Sequence, residues 1–117
     1  MKRPWNRTNQ NIYSLITFNE SNIFNMNICT YVSVINMQPK IYAISIDYNT
    51  LTYLNLNENN NNYVLQALST KNIDTVKVLG KKSGLNYDKK NYLIKKKLIT
   101  NWGKYSILNN LSFVIEL

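Results

Sequence analysis

From Ile28 the side chains alternate, with Ile28, Thr30, Val32 and Val34 toward one side and Cys29, Tyr31, Ser33 and Ile35 toward the other. That is the period of an extended strand. A second β-branched and aromatic run, Ile41 to Tyr48, follows the link Asn36-Met37-Gln38-Pro39-Lys40. Pro39 has no amide hydrogen to give to a ladder, so it separates two strands. Both runs carry little charge, which predicts two central strands whose faces are largely covered. Behind them come hydroxyls and amides at Asn49, Thr50 and Thr52.

The rest of the chain reads as mainly β with short helices. Tyr13 to Phe18 alternates as a strand, and Asn19 to Asn22 is its turn. Leu51, Leu54 and Leu56 fit a turn or two of helix, for which Asn49 or Thr50 is the natural N-cap, leaving first-turn amides free to hold an anion. After the asparagine loop, Tyr63 to Leu68 alternates again. Ser69 or Thr70 then caps a helix through Leu79, with Ile73, Val76 and Leu79 on one stripe and Gly80 as its stop. Tyr87 to Leu98 reads as a short surface helix among five lysines, Gly103 as a break, and Leu111 to Leu117 as a last strand. Residues 1–12 form a polar lead-in anchored by Trp5.

A chain of 117 residues with 44% hydrophobic and 17% charged residues is expected to form one folded domain with one core. No apolar run approaches the about 20 residues needed to cross a bilayer. Lys2-Arg3 is followed by Pro4-Trp5-Asn6-Arg7 rather than by an apolar signal core. With Cys29 as the one cysteine, no internal disulfide forms, and the cytoplasm is the simplest setting. The net charge of +8 raises nucleic acid as a partner. However, Lys, Asn, Ile and Tyr are together abundant, as A- and T-rich codons would make them, and the lysines cluster away from the tyrosine-rich strands.

The absence of histidine removes Ser-His-Asp triads, most zinc sites and histidine acid/base catalysis. Glu20, Asp47, Glu58, Asp74, Asp88 and Glu116 are scattered without paired spacing. No catalytic residue and no metal ligand set is assigned. Such a chain is better suited to hold a cofactor that does the chemistry.

Several segments carry a resemblance to a known family. Asn27 to Ser33 runs into a turn with Gln38-Pro39 and then a second strand with Asn49-Thr50-Leu51-Thr52 behind it. Tyr63 to Ser69, Val76 to Gly84 and the opening Pro4 to Arg7 follow in order. In this order the chain resembles the flavin reductase-like proteins, which have an FMN-binding split β-barrel, over nearly all of 1–117 as a single domain. Family members continue beyond the equivalent of Leu117 with further strands, so the resemblance implies a barrel incomplete at its C-terminus.

That resemblance implies an oxidoreductase that binds FMN or FAD, takes hydride from NAD(P)H and works as a homodimer with the flavin near the subunit interface. It places Asn27, Ile28, Cys29 and Thr30 along the flavin ring, the family's early strand threonine falling at Asn27 or Ile28. Asn49, Thr50 and Thr52 fall at the phosphate, with Lys81, Lys82 and Ser83 as further contacts to it. On the residues alone Cys29 is a small buried hydrophobe, Thr50 and Thr52 are a cap and a turn hydroxyl, and the lysines are solvated. Two other functions stand beside this one: a shortened, non-catalytic flavin-binding or structural homologue, and, ranked last, a basic nucleic-acid-binding β-barrel.

Overall fold

The computed structural model describes residues 12–47, 49–59, 62–81, 84–85 and 87–117. Strand β1, Tyr13–Phe18, sits inside an antiparallel four-stranded sheet of order β2-β1-β5-β8, with β2 at Phe24–Met26, β5 at Val64–Ala67 and β8 at Phe113–Glu116. The middle of β1 and all of β5 are buried, because apolar side chains point to both faces and both faces are covered. On one face Ile16, Met26 and Val64 pack under Leu79, Leu93 and Leu108. On the other, Leu15, Cys29 and Leu65 pack under Val32, Tyr42, Ile44 and Leu56. Each large side chain taken fully out of water contributes about 1.5–3 kcal/mol.

Three short helices complete the layers. Thr50 caps α1, Leu51–Glu58, as the sequence predicts, its hydroxyl accepting from the Tyr53 amide. A 3-10 turn at Thr70–Asn72, capped by Ser69, leads into α2, Ile73–Lys81. Its buried side is Thr75 and Leu79; Ile73, expected on that stripe, is 59% exposed. Helix α3 occupies Lys89–Lys95, within the predicted span. None of these helices is long and apolar enough to cross a membrane.

The stretch 28–47 departs most from expectation, and Tyr48, expected at the end of the second strand, lies outside the described residues. Strand β3 is Val32–Met37, and among the described residues it pairs only with β4, Lys40–Ile44, around Gln38-Pro39. Residues 27, 28, 30 and 31 are not in a strand, and Cys29 makes a single bridge to Tyr13. At Asn27 the ladder is irregular: the Leu15 amide donates to the Asn27 side-chain oxygen at 2.7 Å, while the Asn27 amide donates to the Leu15 carbonyl at 3.4 Å. Beyond Cys29 the chain continues into β3, and most of β3 and β4 is exposed rather than covered.

Three strands have no counterpart in the sequence reading. Strand β2 has three residues, too few to show a period. Strands β6, Ile99–Trp102, and β7, Tyr105–Leu108, form a hairpin whose turn contains Gly103 at φ 60°, so this glycine reverses the chain as well as breaking a pattern. The hairpin is fastened to the sheet through Gln66, which is fully buried. Its side-chain oxygen accepts from the Leu108 amide at 2.8 Å and its amide donates to the Met26 sulfur at 3.5 Å. Among the described residues the strands form one sheet and two hairpins rather than a closed barrel.

Gln66→Leu keeps the volume but leaves the Leu108 amide buried without its acceptor. The expected loss is about 1–3 kcal/mol, read as a lower urea midpoint with an unchanged slope.

Candidate functional site

The turn from β4 into α1 is built by its own polar groups. Asp47 accepts from the Asn49 amide through Oδ1 at 2.9 Å, and its carbonyl accepts from the Thr50 hydroxyl at 2.6 Å. Since that hydroxyl also accepts from the Tyr53 amide, Thr50 is fully engaged in holding the helix start. Helix α1 is then fixed to β1 by Asn55, whose amide donates to the Thr17 hydroxyl at 3.1 Å in a buried contact. A helix N-terminus is thus held in place at the end of the sheet, with its partial positive charge outward along the axis.

The opposite wall is the segment that leaves the sheet after β2. Cys29 donates to and accepts from Tyr13 through its main chain, both at 2.8 Å, so its amide is committed to the fold. Burial pushes its thiol up to about 11, against a smaller opposing effect of the Leu15 backbone, so it stays protonated at neutral pH and is no nucleophile. Asn27 has its oxygen on Leu15 and its remaining amide hydrogens left for other partners.

The third wall comes from the end of α2 and the start of α3. Gly84 sits where the chain crosses both other walls: a Cβ there would lie 2.7 Å from the Asn25 side-chain oxygen and 2.8 Å from Leu51 Cδ2. Glycine is needed for that approach. Lys89, 5% exposed, points inward and donates from Nζ to the carbonyls of Leu79 at 3.0 Å and Met26 at 3.2 Å. Desolvation lowers its pKa and no carboxylate offsets that effect. It is an ammonium held by dipoles alone.

These walls enclose a hollow of about 550 Å³, open on one side and well within the size range of small-molecule sites. Of the residues singled out from the sequence, Asn27, Ile28, Cys29 and Thr30 line it on one wall. Asn49, Thr50 and Thr52 line it at the helix start, and Lys81 at the end of α2. Lys82 and Ser83 lie outside the described residues. The sequence reading missed Lys89, Asp47, Ser45 and Tyr31, which line the same hollow. Lys89 carries no signal in a run that also contains Lys90, Lys95, Lys96 and Lys97; only its burial separates it from them.

Chemically the hollow combines two characters. Lys81, Lys89 and the α1 N-terminus bring positive character to its lining, moderated by the Asp47 carboxylate, which is engaged with Asn49. The segment 27–31 adds a neutral wall of amide, thiol and hydroxyl, which Lys89 adjoins through its contact with the Met26 carbonyl. No group of three or more metal-ligating side chains exists among the described residues.

Neither a protein-family model nor a curated protein matches the chain. Solved structures do. Flavoredoxin of Desulfovibrio vulgaris (Miyazaki F) matches with a TM-score of 0.75 at 19% identity, over 99% of this chain and 65% of that one. Flavoredoxin from Methanosarcina acetivorans matches with a TM-score of 0.74 at 15% identity, over 99% of this chain and 61% of that one. An FMN-binding domain of a flavin reductases-like enzyme from Shewanella baltica OS155 gives 0.72 at 13% identity, over 94% and 66%. The chain therefore spans 61–66% of the length of these structures. It has the fold of flavoredoxin and of flavin reductase-like FMN-binding domains.

Proposed function

We propose that residues 1–117 form one flavin-binding domain, that the hollow between segment 27–31, the start of α1 and Lys89 takes FMN, and that the protein is a homodimeric NAD(P)H-dependent flavin oxidoreductase. The observation that carries this reading is the convergence on one cavity of residues far apart in sequence. Its cations and helix start suit an anion, and its neutral wall suits a flat ring. Similarity to FMN-binding domains of this fold supports it. A lone buried thiol that needs no disulfide suits the cytoplasm.

The donor set fits a flavin mononucleotide. Lys81 and Lys89 bring charge to the phosphate, and Thr50 acts by orienting the first amides of α1, since its own hydroxyl is engaged within the turn. Asn27 offers amide hydrogens toward the ring, while Ile28 and the protonated Cys29 exclude water beside it. Bound FMN supplies the two-electron chemistry that a chain without histidine lacks. A second reading is a flavin-holding protein that does not oxidise nicotinamide.

Titration with FMN, FAD and riboflavin, followed by flavin fluorescence, tests the site. FMN should bind most tightly, and Lys81→Ala should lower its affinity roughly tenfold, about 1.4 kcal/mol, with riboflavin unaffected. Equal losses for both ligands would remove the phosphate from this end of the hollow.

Burial favours the neutral form of Lys89, so its proton leaves at a lower pH than that of an ordinary lysine. FMN affinity should therefore weaken from neutral to alkaline pH as Lys89 loses its charge. Riboflavin, sharing the ring titration, should show no such loss. A constant FMN-to-riboflavin affinity ratio over that range would exclude Lys89 from the phosphate contacts.

Steady-state NADH and NADPH oxidation with added FMN separates the two readings. Turnover above the protein-free rate supports the reductase. Tight FMN binding without turnover supports the holder.

A further inference from the structure

A second hollow, of about 500 Å³, lies along the base of the β3–β4 hairpin. It adjoins the first through Thr30, Tyr31 and Ser45, which line both. The hairpin is closed at that point by the Ser45 amide, which donates to the Tyr31 carbonyl at 3.0 Å. One step further out Ser33 stands opposite Ala43 in the register of the two strands. Both are small and exposed, and they leave room beside the rings of Tyr13 and Tyr31. Tyr13 is steadied by its bridge to Cys29 and by the ring of Phe113, which it meets edge-on at 6.3 Å. Tyr31 is 57% exposed.

The chemistry of this hollow is unlike that of the first. Among the described residues none of its lining side chains is charged, although the chain carries a net charge of +8. Its polar side chains are hydroxyls, and those of Thr30, Ser33 and Ser45 are taken up by no other group among the described residues. A phosphate brought here would lose water without gaining a cation. A metal ion would find no carboxylate in the lining, and an anionic chelate no counter-charge. The lining does suit a flat, uncharged molecule with carbonyl oxygens, whose ring packs against tyrosine while hydroxyls donate to the carbonyls.

We propose that this second hollow holds the electron acceptor of the reaction, and that the acceptor is an uncharged quinone. The electron step rests on the flavin reading above, because segment 27–31, the neutral wall for the flavin ring, contains two of the residues that the hollows share. A quinone lying against Tyr31 and Ser45 is then next to the ring that reduces it. It gains two electrons and two protons: a hydride from the reduced flavin bonds to one carbonyl oxygen, a proton from water bonds to the other, and the flavin is left oxidised. Free FMN as an acceptor would bring a phosphate to a lining without a cation. The same holds for NAD(P)H, so donor and acceptor need different surfaces of this chain.

Duroquinone, which has no unsubstituted ring carbon for a thiol to attack, is the probe. Added to the isotopically labelled full chain without flavin, it should shift the NMR amide signals of 30–33 and 43–45 and leave those of α2 and α3 in place. Ala43→Glu, at an exposed position, puts a charge into the hollow and should weaken this binding at least tenfold without moving the urea midpoint. Thr100→Glu, an equal change of charge at an exposed position on β6, should bind duroquinone as the wild type does. With FMN and NADH, the KM for duroquinone should rise at least tenfold in Ala43→Glu while kcat stays within twofold. No binding by the wild type, shifts confined to other segments, or undiminished binding by Ala43→Glu would each overturn the assignment of the hollow. A chain that binds FMN and oxidises NADH but does not reduce bound duroquinone would overturn the electron step. A chain that binds duroquinone at the hairpin and no flavin at all would refute the flavin reading, and leave the ligand class of the second hollow standing.

Discussion

The hydrogen bond from the Leu15 amide to the Asn27 side-chain oxygen, 2.7 Å long, sits where the regular ladder between β1 and β2 ends. A buried amide on β1 must find an acceptor, and in a continuous sheet that acceptor is main chain. Here the Asn27 side chain takes the acceptor's place, while its main-chain amide keeps a longer bond to the Leu15 carbonyl. Strand β2 ends after three residues, Cys29 returns for one bridge to Tyr13, and residues 32–44 leave as a hairpin of their own. The same substitution forms one wall of the hollow and strips the hairpin of its sheet neighbours.

The other walls are organised around polar groups that satisfy one another. Asp47 and Thr50 close the turn, Asn55 ties α1 to Thr17, and Gly84 lets the chain cross Asn25 and Leu51 at a distance no Cβ tolerates. Lys89 differs from these. Its ammonium is buried on two carbonyls, Leu79 near the end of α2 and Met26 at the end of β2, and it ties those two ends together at the desolvation cost that lowers its pKa. Methionine would fill the space but leave both carbonyls without that donor.

How much of this could be read in the residues depended on how far each signal reached. Strand β1, the Thr50 cap, strand β5 and the approximate spans of α2 and α3 are local, carried by period and capping over a few positions. The β6–β7 hairpin was missed because Gly103 signals a turn only if the flanking four-residue runs are recognised as strands. Residues 32–35 are strand as the alternation predicts, but 28–31 leave the ladder and the faces of β3 and β4 are exposed, for a tertiary reason: an apolar alternation looks the same whether its faces meet a core or solvent. The hollow was legible only through family resemblance. Lys89 was not legible at all, since its burial depends on Met26 and Leu79, which are remote in sequence.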